Sequence, residues 1–220
     1  MNLLEELKKY QEDSLKEFSD KIIPNSNILG IRNPILKNLA KEMVKEGNFD
    51  FFDETHYYHE EFMVHVFMLI YIKDKELVYK EIDRLVPMIN NWAMCDGLMN
   101  VKIIDKNREY FYPLINKYKS KYTEFEVRFV LVMLLSHYLV DEYIDDVFKI
   151  IEDSFAKDYY ARMAKAWLIA ECMIKYREKT LEFFKNTHID SWTYNKAIQK
   201  CLESFRISDT DKEYLRSIKR

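Results

Sequence analysis

Apolar residues recur at the three- and four-residue spacing of an amphipathic helix along almost the whole chain. Breaks in this pattern coincide with the few turn residues, among them the Pro24–Asn27 loop and Gly47-Asn48. The intervening loops are short, so successive helices are expected to pack as antiparallel neighbours. The predicted helices cover about residues 3–22, 30–46, 59–73, 75–89, 91–103, 107–119, 123–138, 142–153, 157–175, 177–186, 192–204 and 209–218.

One apolar pattern is repeated within the chain. Val127–Leu135 aligns with Ala161–Ile169 at an offset of 34 residues, and a weaker third copy, Tyr194–Ile198, follows at an offset of 33. A repeated helix pair near this length is typical of an α-solenoid, and the Trp-Leu-Gly-Tyr pattern of tetratricopeptide repeats is missing. We therefore expect residues 1–220 to form one domain. The expected fold is all-α, a right-handed α-solenoid of HEAT-like antiparallel helix pairs with a concave binding face.

Residues that break regular structure are scarce. The chain has three glycines and four prolines among 220 residues, too few for the many turns of a sandwich, a barrel or a doubly wound sheet. Gly30, Gly47 and Gly97 also lie too far apart to form the phosphate-binding loops GxGxxG or GxxxxGK[ST]. Composition therefore favours an all-helical protein and excludes Rossmann dinucleotide enzymes, P-loop NTPases and protein kinases.

Charge is distributed unevenly along the chain. The formal net charge is −3, but residues 156–220 hold fourteen lysines and arginines against nine aspartates and glutamates. The C-terminal third is therefore the part whose charge favours a polyanionic partner. The three cysteines lack CxxC spacing, the longest apolar runs have seven residues, and the acidic N-terminus does not resemble a signal peptide. These features predict a cytoplasmic protein.

A candidate catalytic motif lies near the middle of the chain. Trp92 and Asp96 are four residues apart, so one helical face carries a carboxylate beside an indole ring. Arg128 and Trp167 occupy helices one and two repeats further on, so the four side chains can converge on one concave surface. Each also has a simpler interpretation: a core tryptophan beside a surface aspartate, a buried ion-pair partner, and a second core tryptophan.

In these residues the chain resembles the AlkD-like DNA alkylation repair glycosylases, which are built from HEAT-like repeats. The segments that carry the resemblance are Ile28–Lys41, Trp92–Asp96, Arg128, Ala164–Trp167 and Tyr194–Lys200. The resemblance implies release of positively charged N-alkylated purines, such as N3-methyladenine and N7-methylguanine, by hydrolysis of the N-glycosidic bond. It further implies a monofunctional glycosylase without lyase activity that acts on double-stranded DNA. Such a site requires no metal and no cofactor, and because a solenoid with polar terminal helices can be a monomer, we expect a monomer.

The resemblance also assigns roles to individual residues. In such a site Asp96 lies near the deoxyribose of the lesion, where it stabilises oxocarbenium charge and positions the attacking water. Trp92 and Trp167 contact the sugar and backbone, and Arg128 binds a phosphate. The family commonly has a phosphate-binding arginine where this chain has Ala170, and the cations nearby that can substitute for it are Arg162, Lys165, Lys196 and Lys200.

The sequence offers two other interpretations. His56, His59 and His65, with Glu60 and Glu61, suggest a metal site at first sight, but their order is not HExxH and the last histidine falls on a different helical face. The broader alternative is a non-catalytic HEAT-like repeat protein that binds unusual DNA structures or a protein partner, because solenoids serve as general scaffolds.

Overall fold

The computed structural model describes residues 3–220, and within that range every regular element is a helix. The α-helices are α1 (Leu3–Lys8), α2 (Asp13–Ile22), α3 (Asn33–Glu46), α4 (His59–Tyr71), α5 (Lys75–Leu85), α6 (Trp92–Gly97), α7 (Ile103–Lys106), α8 (Arg108–Tyr118), α9 (Glu124–His137), α10 (Ile144–Asp153), α11 (Tyr159–Lys175), α12 (Arg177–Asn186), α13 (Ser191–Glu203) and α14 (Asp209–Ser217). Short 3₁₀ helices cover Phe49–Asp53, Val86–Met88 and Leu98–Asn100. The all-helical class is thus confirmed.

Two predicted helices are divided into shorter elements in the structure. The expected helix over residues 3–22 is divided into α1 and α2, because Glu12 makes long-range contacts in place of a helical turn. Its backbone N–H donates to the Gly30 carbonyl at 2.9 Å, and its carboxylate accepts two hydrogen bonds from the Arg32 guanidinium, each 2.8 Å long. The expected helix over 91–103 is likewise reduced to α6, a 3₁₀ turn and α7.

The chain divides into two compact units. The first ends at Asn107, and its centre is α4, which packs against α3 and α6. Ten of the thirteen residues of α4 are buried, which explains why its apolar run is continuous instead of one-sided. Gly97 at the end of α6 allows a close approach to α4, since a Cβ atom there would lie 2.6 Å from Cγ1 of Val66.

The second unit, Arg108–Arg220, contains the repeated segments. Its helix α11 packs between α9 and α13, and these three helices carry the three copies of the repeat. Polar side chains join residues about one repeat apart. These hydrogen bonds run from Tyr112 to Asp146 at 2.9 Å, from Arg177 to Asp211 at 2.6 Å, from Lys179 to Asp145 at 2.5 Å and from Tyr176 to Asp141 at 2.9 Å. Each helix pair therefore contacts its sequence neighbour, as expected for a repeat array.

Two further features concern the chain as a whole. Among residues 3–220, no helix has the length and apolar character needed to cross a membrane. Cys95, Cys172 and Cys201 are buried free thiols. Burial raises the pKa of the Cys201 thiol to about 12, so this thiol stays protonated near neutral pH.

Candidate functional site

The first unit contains a pocket of about 530 Å³ in which Trp92 and Asp96 lie together. Helix α6 supplies one wall with these two side chains, which are half-buried and one turn apart. The segment that enters α3 supplies another wall with Arg32, and α3 itself contributes Lys37. The pocket therefore contains a carboxylate and an indole together with two cationic side chains, and the four-residue spacing of the motif accounts for the face shared by Trp92 and Asp96.

The start of α6 is fixed by a buried asparagine. The side chain of Asn91 accepts a hydrogen bond from the backbone N–H of Met94 at 3.0 Å, which caps the helix, and its amide donates to Oγ of Ser26 at 2.9 Å. The indole N–H of Trp92 donates to the carbonyl of Ile22, at the end of α2, at 2.8 Å. The tryptophan ring therefore has a defined orientation at the edge of the pocket.

A buried carboxylate, Glu60, organises the wall that contains the Gly-Ile-Arg element. It is 2% exposed and accepts three backbone hydrogen bonds, from Leu29 at 2.9 Å, Gly30 at 2.8 Å and Ile31 at 3.3 Å. Gly30 has a φ of +89°, and a Cβ atom there would lie 2.6 Å from the carbonyl oxygen of Glu12, so glycine is required on both grounds. Sequence reasoning considered Glu60 only as a metal ligand and missed this role.

The three histidines of the suspected metal site do not form one cluster in the structure. His56 and His65 contact each other, with 3.0 Å between Nε2 and Nδ1, and Nε2 of His65 lies 3.4 Å from a carboxylate oxygen of Glu81. Burial lowers the pKa of His56 to about 4, and it lowers the pKa of His65 against the opposing effect of Glu81. His59 lies apart from them, in the pocket near Asn91.

Each ring of the His56–His65 pair is held in place by stacking on a phenylalanine. His56 stacks on Phe51 with 4.5 Å between ring centroids, and His65 stacks on Phe52 at 4.3 Å. Within residues 3–220 no three histidine, cysteine or carboxylate side chains are grouped so that they could hold a metal ion. The His56–His65 pair is therefore part of the packed interior of the first unit.

In the second unit, Arg128 and Trp167 lie on neighbouring helices, α9 and α11. Arg128 is 6% exposed, and its guanidinium donates to the carbonyl of Tyr160 in the first turn of α11 at 2.8 Å. Trp167 is half-buried, and Ala170, one turn further on, lies in the core. Arg128 therefore holds the start of the next repeat helix, and its predicted contact with phosphate stays a prediction.

Two of the other predicted cations converge on an aromatic residue that sequence reasoning did not single out. The guanidinium carbon of Arg162 lies 4.3 Å from the ring centroid of Trp192, and Nζ of Lys196 lies 5.6 Å from the same ring. Arg162 also hydrogen bonds to Asp190, which precedes α13. One feature of the sequence pointed to Trp192: it precedes Lys196 by one helical turn.

The two remaining predicted cations, Lys165 and Lys200, have different surroundings. Lys165 is 5% exposed, and its ammonium group donates to the carbonyl of Ser154 at 2.7 Å. Burial lowers the pKa of Lys165 to about 8, against the raising effect of Asp190 and other acids. Lys200 is half-buried in the last turn of α13. Lys165 therefore holds the loop before α11, and the role of either lysine at DNA stays a prediction.

The family was identified by comparison with known proteins. The chain matches the model of the family described as DNA alkylation repair enzyme over residues 3–201, a range that includes every site residue described above. A comparison with curated protein sequences gave no significant match. Because the family match extends over most of the chain, the chain belongs to the DNA alkylation repair enzyme family.

Proposed function

We propose that the protein is a DNA glycosylase that releases positively charged N-alkylated purines, of the N3-methyladenine and N7-methylguanine type, by hydrolysis of the N-glycosidic bond. The observation that carries this proposal is the pocket in which Asp96 and Trp92 lie side by side. DNA is the partner that the family implies. The proposal includes a right-handed HEAT-like array over residues 1–220, acting as a monomer on double-stranded DNA.

The chemistry that this site must perform is limited. A cationic alkylated base is already a good leaving group, so no general acid is needed to protonate it. As the bond to the base breaks, positive charge develops on the deoxyribose, and the carboxylate of Asp96 stabilises that charge. Two unit charges 4 Å apart interact by about 4 kcal/mol at the effective dielectric constant of a site near the protein surface. This corresponds to a rate effect of roughly a thousandfold.

Water and sugar are positioned by the same groups. Asp96 can accept a hydrogen bond from the water that attacks the anomeric carbon, and the Trp92 ring shields that face of the sugar from bulk solvent. We infer that the Trp92 and Trp167 rings both contact the sugar and the DNA backbone. The reaction forms no covalent intermediate, so we expect no lyase activity, and trapping with borohydride should leave the protein unmodified.

Contacts with the DNA backbone are assigned to the predicted cations in this proposal. Arg162 and Lys196, held at the Trp192 ring, are the best-placed phosphate ligands among the predicted residues. We propose phosphate contacts also for Arg128, Lys165 and Lys200, of which Arg128 and Lys165 are bound to backbone carbonyls as well. We also propose that the protein is cytoplasmic, because free thiols such as its three cysteines are typical of a reducing compartment.

Base release from a duplex with one N7-methylguanine tests the proposal. We expect release by the wild-type protein and a loss of roughly a thousandfold in Asp96→Asn, which keeps the shape of the side chain and removes its charge. Asp50→Asn is the matched control, because Asp50 is an exposed acid of the same unit outside the pocket. DNA binding without release above the spontaneous rate would instead support the non-catalytic binding scaffold.

A further inference from the structure

The second unit has a notch of about 430 Å³ that the proposed reaction does not use. It lies between the end of α8, the helix α10 and the loops that follow them. Its volume falls within the range of about 300–1,000 Å³ that is typical of small-ligand sites. Its lining combines lysines with aromatic rings, and the residues relevant here are Lys119, Lys121, Tyr122, Lys149 and Phe155.

Two aromatic rings of this notch are exposed. Tyr122 is 70% exposed and Phe155 is 40% exposed, and their ring centroids are 5.1 Å apart at an interplanar angle of 86°. Nζ of Lys157 lies 4.2 Å from the Phe155 ring centroid. Exposed rings contribute little to core packing, whereas they offer a surface on which a flat ligand can stack.

The charges of the notch favour an anion. Lys121 and Lys149 are exposed and, among residues 3–220, have no carboxylate within ion-pair distance. Lys119 is bound to the side chain of Asn116. Two acids also line the notch: Asp146, which accepts a hydrogen bond from Tyr112 at 2.9 Å, and Asp153. The lysines outnumber these acids, so the notch keeps a positive charge.

The notch lies on one side of the second unit, at the loops from which helices α9 and α11 begin. The loop over residues 119–123 leads into α9, and the loop over 154–158 leads into α11. A hydrogen bond joins the first turns of α9 and α11: the backbone N–H of Tyr160 donates to the Glu124 carboxylate at 2.5 Å. The next loop, over 187–190, is joined to α10 through Glu152, which accepts from the N–H of His188 at 2.8 Å. The notch therefore shares this side with Arg162 and Trp192.

We propose that this notch binds one unpaired nucleotide of DNA, with the base against Tyr122 and Phe155 and the adjoining phosphate at Lys121 and Lys149. Aromatic stacking combined with lysines is the arrangement by which proteins hold single-stranded DNA without reading its sequence. The phosphates of a duplex require the lysines alone, since its bases are already stacked. The inference rests on the proposed function in one respect, that DNA is the partner.

Binding of a fluorescent oligothymidylate tests this site, with a hairpin duplex measured in parallel. We expect Tyr122→Leu and Phe155→Leu each to weaken oligothymidylate binding by roughly 5- to 150-fold, because each removes a stacking surface. The duplex should bind with nearly unchanged affinity. Tyr57→Leu is the matched control, since Tyr57 is equally exposed at 70% but lies in the first unit.

A second pair of variants tests the phosphate contact. Lys121→Ala and Lys149→Ala should each reduce the dependence of log K on log salt by about 0.7 for a single strand. The inference is overturned if the leucine variants bind oligothymidylate as the Tyr57→Leu control does, or if they weaken duplex binding to the same extent. Melting temperatures of all variants are compared, and the exposed positions should leave them unchanged.

The experiment separates this inference from the proposed glycosylase. Base release from the N7-methylguanine duplex is measured with the same variants. Release that persists in Tyr122→Leu, together with weakened oligothymidylate binding, supports both. Absence of release in the wild type, with binding that still depends on Tyr122, would refute the glycosylase and leave the nucleotide site standing. Release with oligothymidylate binding that is insensitive to Tyr122 would refute the nucleotide site alone.

Discussion

Replacing Glu60 by glutamine should destabilise the protein and impair the pocket at the same time. In the wild type one carboxylate oxygen accepts from Leu29, and the other accepts from Gly30 and Ile31. An amide has only one acceptor oxygen. If that oxygen serves Gly30 and Ile31, the NH₂ group faces the N–H of Leu29, so one buried donor is left without an acceptor.

The expected magnitude follows from these three bonds. Hydrogen bonds to a charged group contribute about 1.5–3 kcal/mol each, and the substitution removes one bond and weakens the other two, so we expect a loss of about 3 kcal/mol. For a chain of this length each kcal/mol lowers the melting temperature by roughly 2–4 °C, which gives a decrease of roughly 6–12 °C. Because Ile31 lines the pocket, a looser wall should also slow base release by roughly 10- to 100-fold.

The matched control is the same substitution at the next residue. One carboxylate oxygen of Glu61 accepts from both Tyr57 and Tyr58 at 2.8 Å, and an amide oxygen can take over both bonds. Glu61→Gln should therefore cost about 1 kcal/mol. It should leave base release unchanged, because Glu61 does not line the pocket.

Thermal unfolding and base release, the latter measured well below both melting temperatures, distinguish the two variants. Equal melting temperatures for Glu60→Gln and Glu61→Gln would refute the reasoning about the three donors. Unchanged base release in Glu60→Gln, with the expected destabilisation, would refute the link between this wall and the pocket.

Two further predictions concern pH and salt. The pKa of His56 is lowered from 6.5 to about 4 in the folded state, so the unfolded state binds the proton more tightly. Unfolding free energy should therefore fall as pH decreases from about 6.5 towards 4, and His56→Phe should flatten this dependence in urea titrations at several pH values; an unchanged slope would contradict it. Arg162→Ala and Lys196→Ala should each reduce the salt dependence of duplex binding, as log K against log salt, by about 0.9. Salt slopes equal to that of the wild type would remove these residues from the interface.

Much of the fold could be predicted because helical periodicity is a local property. The bounds of α9, α11 and α13 agree with the predicted segments to within two residues. The 34-residue offset reappears in side-chain hydrogen bonds between neighbouring repeats, such as Tyr112 to Asp146 and Arg177 to Asp211. The shared pocket of Trp92 and Asp96 likewise follows from their four-residue spacing on α6. The families of phosphate-loop enzymes could be excluded from glycine spacing alone.

Tertiary structure decided which polar groups meet. The break between α1 and α2, the three donors on Glu60 and the contact of Arg162 with Trp192 all join residues about twenty to thirty positions apart. Periodicity shows which face of a helix is apolar, but it does not show which neighbour covers that face or which polar group is desolvated beneath it. For the same reason the sequence did not distinguish buried Lys165 from half-buried Lys196: their charge is equal, and only packing determines how far each charged group is exposed to solvent.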